Sequence, residues 1–154
     1  MRRDSPDRVQ GKRFPPDDPR EWLNRARSNL AQARGGAQIA GVYLEDLCFN
    51  AQQAAEKGIK AVLIQYGIEF PYVHDLAELL GLVKQAVQEI PGEVQQAARL
   101  TRYAVVTRYP GLLEPVTREQ YEQAVALAEE VVHWAQEIIE RGTREQGESS
   151  AGDA

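Results

Sequence analysis

What the chain has little of narrows its chemistry first. It holds one cysteine, Cys48, so it forms no intramolecular disulfide and no thiolate metal cluster, a usage that fits a reducing cytosol. Cys48 falls in an apolar stripe and reads as a small core residue. Only two histidines are present, His74 and His133, and neither lies in a cluster of metal ligands, so no metal and no cofactor is expected. No run of about 18 apolar residues exists to span a membrane, and the N-terminal arginines precede no apolar core of a secretory signal. The chain is therefore expected in the cytoplasm. Excess positive charge is also missing: the formal net charge is −5, so contact with a polyanion needs a local basic patch. There is no internal repeat, no glycine-rich phosphate loop and no nucleophile elbow.

What is present is helical periodicity in a chain of one domain's length, 154 residues. Mixed charge and proline assign residues 1–17 to a disordered arm, and residues 142–154 read as a disordered tail. The folded domain is expected at residues 18–141. A first helix opens with Asp18 as cap, Pro19 at the first position and Glu21 three residues after the cap. Trp22, Ala26, Leu30 and Ala33 form its stripe. A second helix, Tyr43 to Tyr66, carries Leu44, Leu47, Cys48, Ala51, Ala55, Ile59, Val62 and Tyr66 on one face and ends at Gly67. Asp46, Asn50, Gln53, Lys57 and Lys60 line its other face, which meets solvent, a partner chain or an anion.

A third helix starts at Asp75, where His74 reads as a capping or loop-anchoring residue, and Pro91 opens a fourth. In the fourth, Gln95, Arg99 and Arg102 gather within about 60° of each other, at 100° per residue. Its end is not marked before Pro110. Thr117 and Gln120 make a capping box for the last helix. The apolar stripe of that helix, Tyr121 to Ile139, is wider than one neighbour needs, which suggests self-association. Its outer face is acidic. The expected fold is all-α, an up-and-down bundle of four to five helices.

The segments "FNAQQAAEKGIKAVLIQYG", "PYVHDLAELL" and "RYP" before the last helix together resemble the HEPN domain (higher eukaryotes and prokaryotes nucleotide-binding), over about Pro19 to Ile139. The resemblance implies a helical bundle, homodimerisation, and a role near RNA or nucleotides. It also implies a minimal nucleotidyltransferase as partner, in a toxin–antitoxin-like pair. Ribonucleases of the family carry Arg, four to six residues, then His; the arginine holds the scissile phosphate and the imidazole moves protons. That motif is missing. Arg102 is followed at the required positions by Thr107, Arg108 and Tyr109, and no arginine stands at that spacing before His74 or His133. No catalytic residue is assigned.

The candidates for nucleotide or RNA binding are Arg99, Arg102, Arg108, Tyr109, Lys57 and Lys60. Against this stands a solvated face whose arginines pair with the acidic last helix, with Tyr109 packed on the bundle end. Two other readings stay open. One is a metal-independent ribonuclease with an altered site around Arg102, Arg108 and Tyr109. The other is a helical dimerisation module without a ligand.

Overall fold

The computed structural model describes residues 11–105 and 115–152. Among the described residues, five α-helices and two 3-10 segments make up the regular structure and no strand occurs. Helix α1 spans Pro19–Gly35, α2 Leu44–Gln65, α3 Leu76–Val83, α4 Gly92–Gln96 and α5 Arg118–Gly152. The 3-10 segments are Gly36–Gln38 and Ala97–Val105.

The ends form where the side chains dictate. The Asp18 carboxylate accepts the Arg20 amide at the start of α1, with Pro19 supplying a preset φ. Glu21 does not complete a capping box. It folds back to accept the Phe14 amide, tying the preceding chain to the helix. Asp75 caps α3 through the Ala77 amide. The Thr117 and Gln120 capping box is reciprocal, at 3.1 and 2.9 Å. Gly67, at φ 67°, takes the left-handed turn that closes α2.

Helix α2 is the axis of the bundle. Helices α1 and α5 pack on it and on each other, while α3 and the 3-10 segment Ala97–Val105 cover its remaining side. It is consequently buried nearly all round. Gly58 lets α5 approach: a Cβ there would lie 3.3 Å from Val131 Cγ1. Tyr121 fixes α5 to the end of α1, its hydroxyl donating to the Ala33 carbonyl at 2.6 Å. Among the described residues no helix is long and apolar enough to cross a membrane.

Four expectations change. The broad stripe on α5 is buried within the chain: Val125, Ala128, Val131, Val132, Trp134, Ala135, Ile138 and Ile139 all lie in the core. Its width serves two helices of the same molecule, α1 and α2, so it supplies no ground for self-association. Two aromatics expected in stripes sit at their margins: Trp22 is half-buried and its indole donates to the Pro16 carbonyl, while Tyr66 is exposed. Helix α5 does not stop at Arg141 but continues to Gly152. Residues 142–147 keep helical backbone there because, apart from Gly142 and Gly147, they are adequate helix formers extending an established helix, which needs no new nucleus. Finally, Lys60 is not on a wet face, as described next.

Candidate functional site

The segment after α4 sets the geometry of the arginines. It tightens from α-helix into a 3-10 stretch over Ala97–Val105, unusually long for that form. At three residues per turn, side chains at i and i+3 eclipse. Ala97, Leu100 and Tyr103 therefore stack into one buried row. Gln96, Arg99 and Arg102, one position earlier each, run parallel to that row and border a groove against α5. Gln95, grouped with the arginines when α-helical spacing is assumed, instead donates to the Ile90 carbonyl at 2.8 Å.

The groove measures about 480 Å³ and is lined by both apolar and polar groups. Leu100, Ala124 and Leu127 give it an apolar floor; Gln120 and Gln123 add amides from α5. Glu93 and Glu130 also border it, yet among the described residues neither guanidinium is held in an ion pair. The expected pairing of these arginines with the acidic last helix is thus not formed by Arg99 or Arg102. The Arg102 guanidinium lies 5.5 Å from the Tyr103 ring centroid. Behind the groove, burial pushes the Cys48 thiol up to about 12, reinforced by the Glu45 charge and opposed by its hydrogen bond to Tyr103. Such a thiol stays protonated and unreactive. Arg108 and Tyr109 lie outside the described residues.

Lys57 and Lys60 do not line this groove. Lys60 belongs to a buried polar cluster on α2. Gln52, Glu56 and Lys60, spaced by four residues, are 0, 4 and 5% exposed. The Lys60 ammonium donates to Glu56 Oε2 at 3.0 Å, and Gln52 donates to Glu56 Oε1 at 3.0 Å. His74 reaches the same Oε1 through Nδ1 at 2.8 Å, and its carbonyl accepts from Gln52. Burial raises the Glu56 pKa, but the hydrogen bonds from Gln52, Lys60 and His74 and the Lys60 charge outweigh it, leaving the carboxyl below its ordinary value. His74 is thus a loop anchor, and Asp75 is the cap. Lys57 faces α1: its ammonium donates to Asn29 Oδ1 at 2.7 Å, and Asn29 in turn donates to Asn50.

Glu56 was not among the candidates, and Gln52, read with Gln53, Lys57 and Lys60 as a surface that meets a partner chain or an anion, is buried. The signal was present: a helix apolar on most of its circumference is buried all round, so an i, i+4, i+8 polar row on it must be paired internally. His133 is exposed and pairs with Glu137 at 3.1 Å. No group of three residues able to hold a metal ion occurs among the described residues.

A model of the HEPN domain matches residues 19–139. The crystal structure of TT1696 from Thermus thermophilus superposes with a TM-score of 0.68 at 33% identity, covering 78% of this chain and 97% of that one. That of ST0689, an archaeal HEPN homologue, gives 0.61 at 26% identity, covering 79% and 98%. No curated protein matches the chain.

Proposed function

The chain belongs to the HEPN domain family, and on that premise we propose that it is a homodimeric, nucleotide- or RNA-associated partner of a minimal nucleotidyltransferase in a toxin–antitoxin-like pair. The observation that carries the ligand part is the groove itself. Two guanidiniums, eclipsed by 3-10 geometry and unpaired among the described residues, border a concave site of ligand size with an apolar floor. Guanidinium is the side chain best suited to phosphate oxygens, and the glutamine amides of α5 suit the edges of a base. Dimerisation and the nucleotidyltransferase partner rest on the family resemblance.

The missing Arg-to-His spacing argues for binding without cleavage, since arginine remains protonated and supplies no general base. The test is binding of fluorescein-labelled single-stranded RNA and of ATP and GTP to the full chain, with chelator present. The Arg99→Ala/Arg102→Ala double variant should bind about tenfold or more weakly, because a hydrogen bond to a charged group contributes roughly 1.5–3 kcal/mol. Equal affinity of variant and parent would overturn the groove assignment. Cleavage of the RNA that disappears with Arg102→Ala would instead favour the metal-independent ribonuclease reading around Arg102, Arg108 and Tyr109. A complex on co-expression with a nucleotidyltransferase encoded by a neighbouring gene is the check on the partner.

A further inference from the structure

A second surface, away from the groove, combines positive charge with aromatic rings. Pro71 and Tyr72 stand in the connection between α2 and α3, and Tyr72 is 95% exposed, the most exposed large apolar side chain described. An aromatic ring so displayed does nothing for the core. Its position is nonetheless fixed. The Lys60 ammonium lies 5.6 Å from the centroid of Tyr72 and 5.6 Å from that of Phe70. Phe70 meets Trp22 of α1 edge-on at 6.3 Å. His74, two residues on, is held by Glu56, and its backbone by Gln52. The connection is thus pinned at both sides of Tyr72.

The charges beside it are arranged with the carboxylates inside. Glu56 and Glu21 are buried, at 5 and 8% side-chain exposure, while His74 and Arg25, which they hold, are 47 and 60% exposed. Lys57 stands between these groups, and its hydrogen-bond acceptor is the neutral Asn29 amide oxygen. Burial lowers its pKa, the Glu56 charge opposes this, and Arg25 and Lys60 lower it further. The ammonium is half-buried, and the Glu56 charge acts on it more strongly than either neighbouring cation. The chain as a whole is acidic, and exposed Glu69 and Asp75 adjoin Phe70 and His74, so the outward positive charge of this strip comes from Arg25 and Lys57.

We propose that Arg25, Lys57, Phe70, Tyr72 and His74 form a contact surface for single-stranded nucleic acid, with Tyr72 as the platform on which an unpaired base stacks. Arg25 and Lys57 face the adjacent phosphates, and Lys60 fixes the ring from beneath while Glu56 balances its charge. A pinned, fully displayed aromatic next to outward cations is what single-strand binding requires, because every base has a face to stack. Duplex fits poorly, since its bases are already stacked. The inference rests on the RNA-associated reading above but uses none of the groove residues, so the two fail separately.

The experiment is fluorescence anisotropy of the full chain with a short fluorescein-labelled oligouridylate at low salt, in chelator. Tyr72→Ala should weaken binding about tenfold, consistent with the value of base stacking on an aromatic; Tyr72→Phe should bind like the parent. Lys57→Gln should also weaken it. The Tyr72→Ala loss should recur in the Arg99→Ala/Arg102→Ala background, as expected for sites without shared contacts. Unchanged affinity in both Tyr72→Ala and Lys57→Gln, with a loss in the arginine double variant, overturns the strip and leaves the groove. A loss in Tyr72→Phe equal to that in Tyr72→Ala overturns stacking. A fall in solution mass with unchanged RNA affinity in Tyr72→Ala makes the surface a protein interface and also overturns the proposal.

Discussion

Glu56 shows how much a single buried charge depends on its partners. Three donors, from Gln52, Lys60 and His74, converge on one carboxylate. Replacing it with alanine strands the Lys60 ammonium in the core, at a cost of about 3–5 kcal/mol. Glu56→Ala is therefore expected to lower the urea midpoint far more than His74→Ala, which removes a half-exposed partner worth about 1 kcal/mol or less. Acid should reveal the same group. Its folded pKa lies below the ordinary 4.5, so its contribution is complete above that value and is lost as pH falls through the folded value. Glu21 moves the same way, lowered chiefly by the Phe14 amide. Thermal melts should thus fall as the pH drops below 4.5, and less steeply for Glu56→Gln.

Between elements, one constraint is the approach of α5 to α2 at Gly58. A Cβ there meets Val131 Cγ1 at 3.3 Å and Ala135 Cβ at 3.8 Å. Gly58→Leu should force the helices apart and destabilise by about 1–3 kcal/mol, read from chemical denaturation. Gly58→Ala should be nearly neutral, since the helix-propensity gain of about 1 kcal/mol offsets the crowding. The 3-10 segment is the other element whose form matters. Its three-residue period aligns Arg99 with Arg102, whereas α-helical geometry would set them apart by about 60°.

For the whole molecule, net charge and local charge point in opposite directions. An acidic chain that meets RNA through a few arginines and lysines binds weakly and with a shallow salt dependence. If Arg99 and Arg102 each neutralise one phosphate, the plot of log K against log salt should flatten by roughly 1.4 in their double alanine variant. Titrations at several salt concentrations measure it. Dimerisation belongs to this scale too. The α5 stripe is used internally, so a dimer needs another face. Ile39, Val42 and Tyr43, all exposed, crowd the connection between α1 and α2. Light scattering should give twice the 17.2 kDa chain mass, and a monomeric mass at micromolar concentration would remove the dimer from the proposed function.

Most helix caps were legible residue by residue: Asp18, Pro19, Gly67, Asp75, Thr117 and Gln120 act locally, whereas Glu21 turns to the Phe14 amide and the segment after α4 tightens to 3-10. The apolar periodicity of α2 and α5 was legible for the same reason, and the segments around "QQAAEKGIK" and "HDLAELL" carried the family. What the stripes face was not legible. A wide apolar stripe reads alike whether a second helix of the same chain or another molecule covers it, and only packing showed α1 and α2 filling that place. Likewise Lys60 and Glu56 look like solvent-facing residues one at a time. Whether a charged group is wet or buried depends on which elements close over it, here the connection through Phe70 to His74, and that closure exists only in three dimensions.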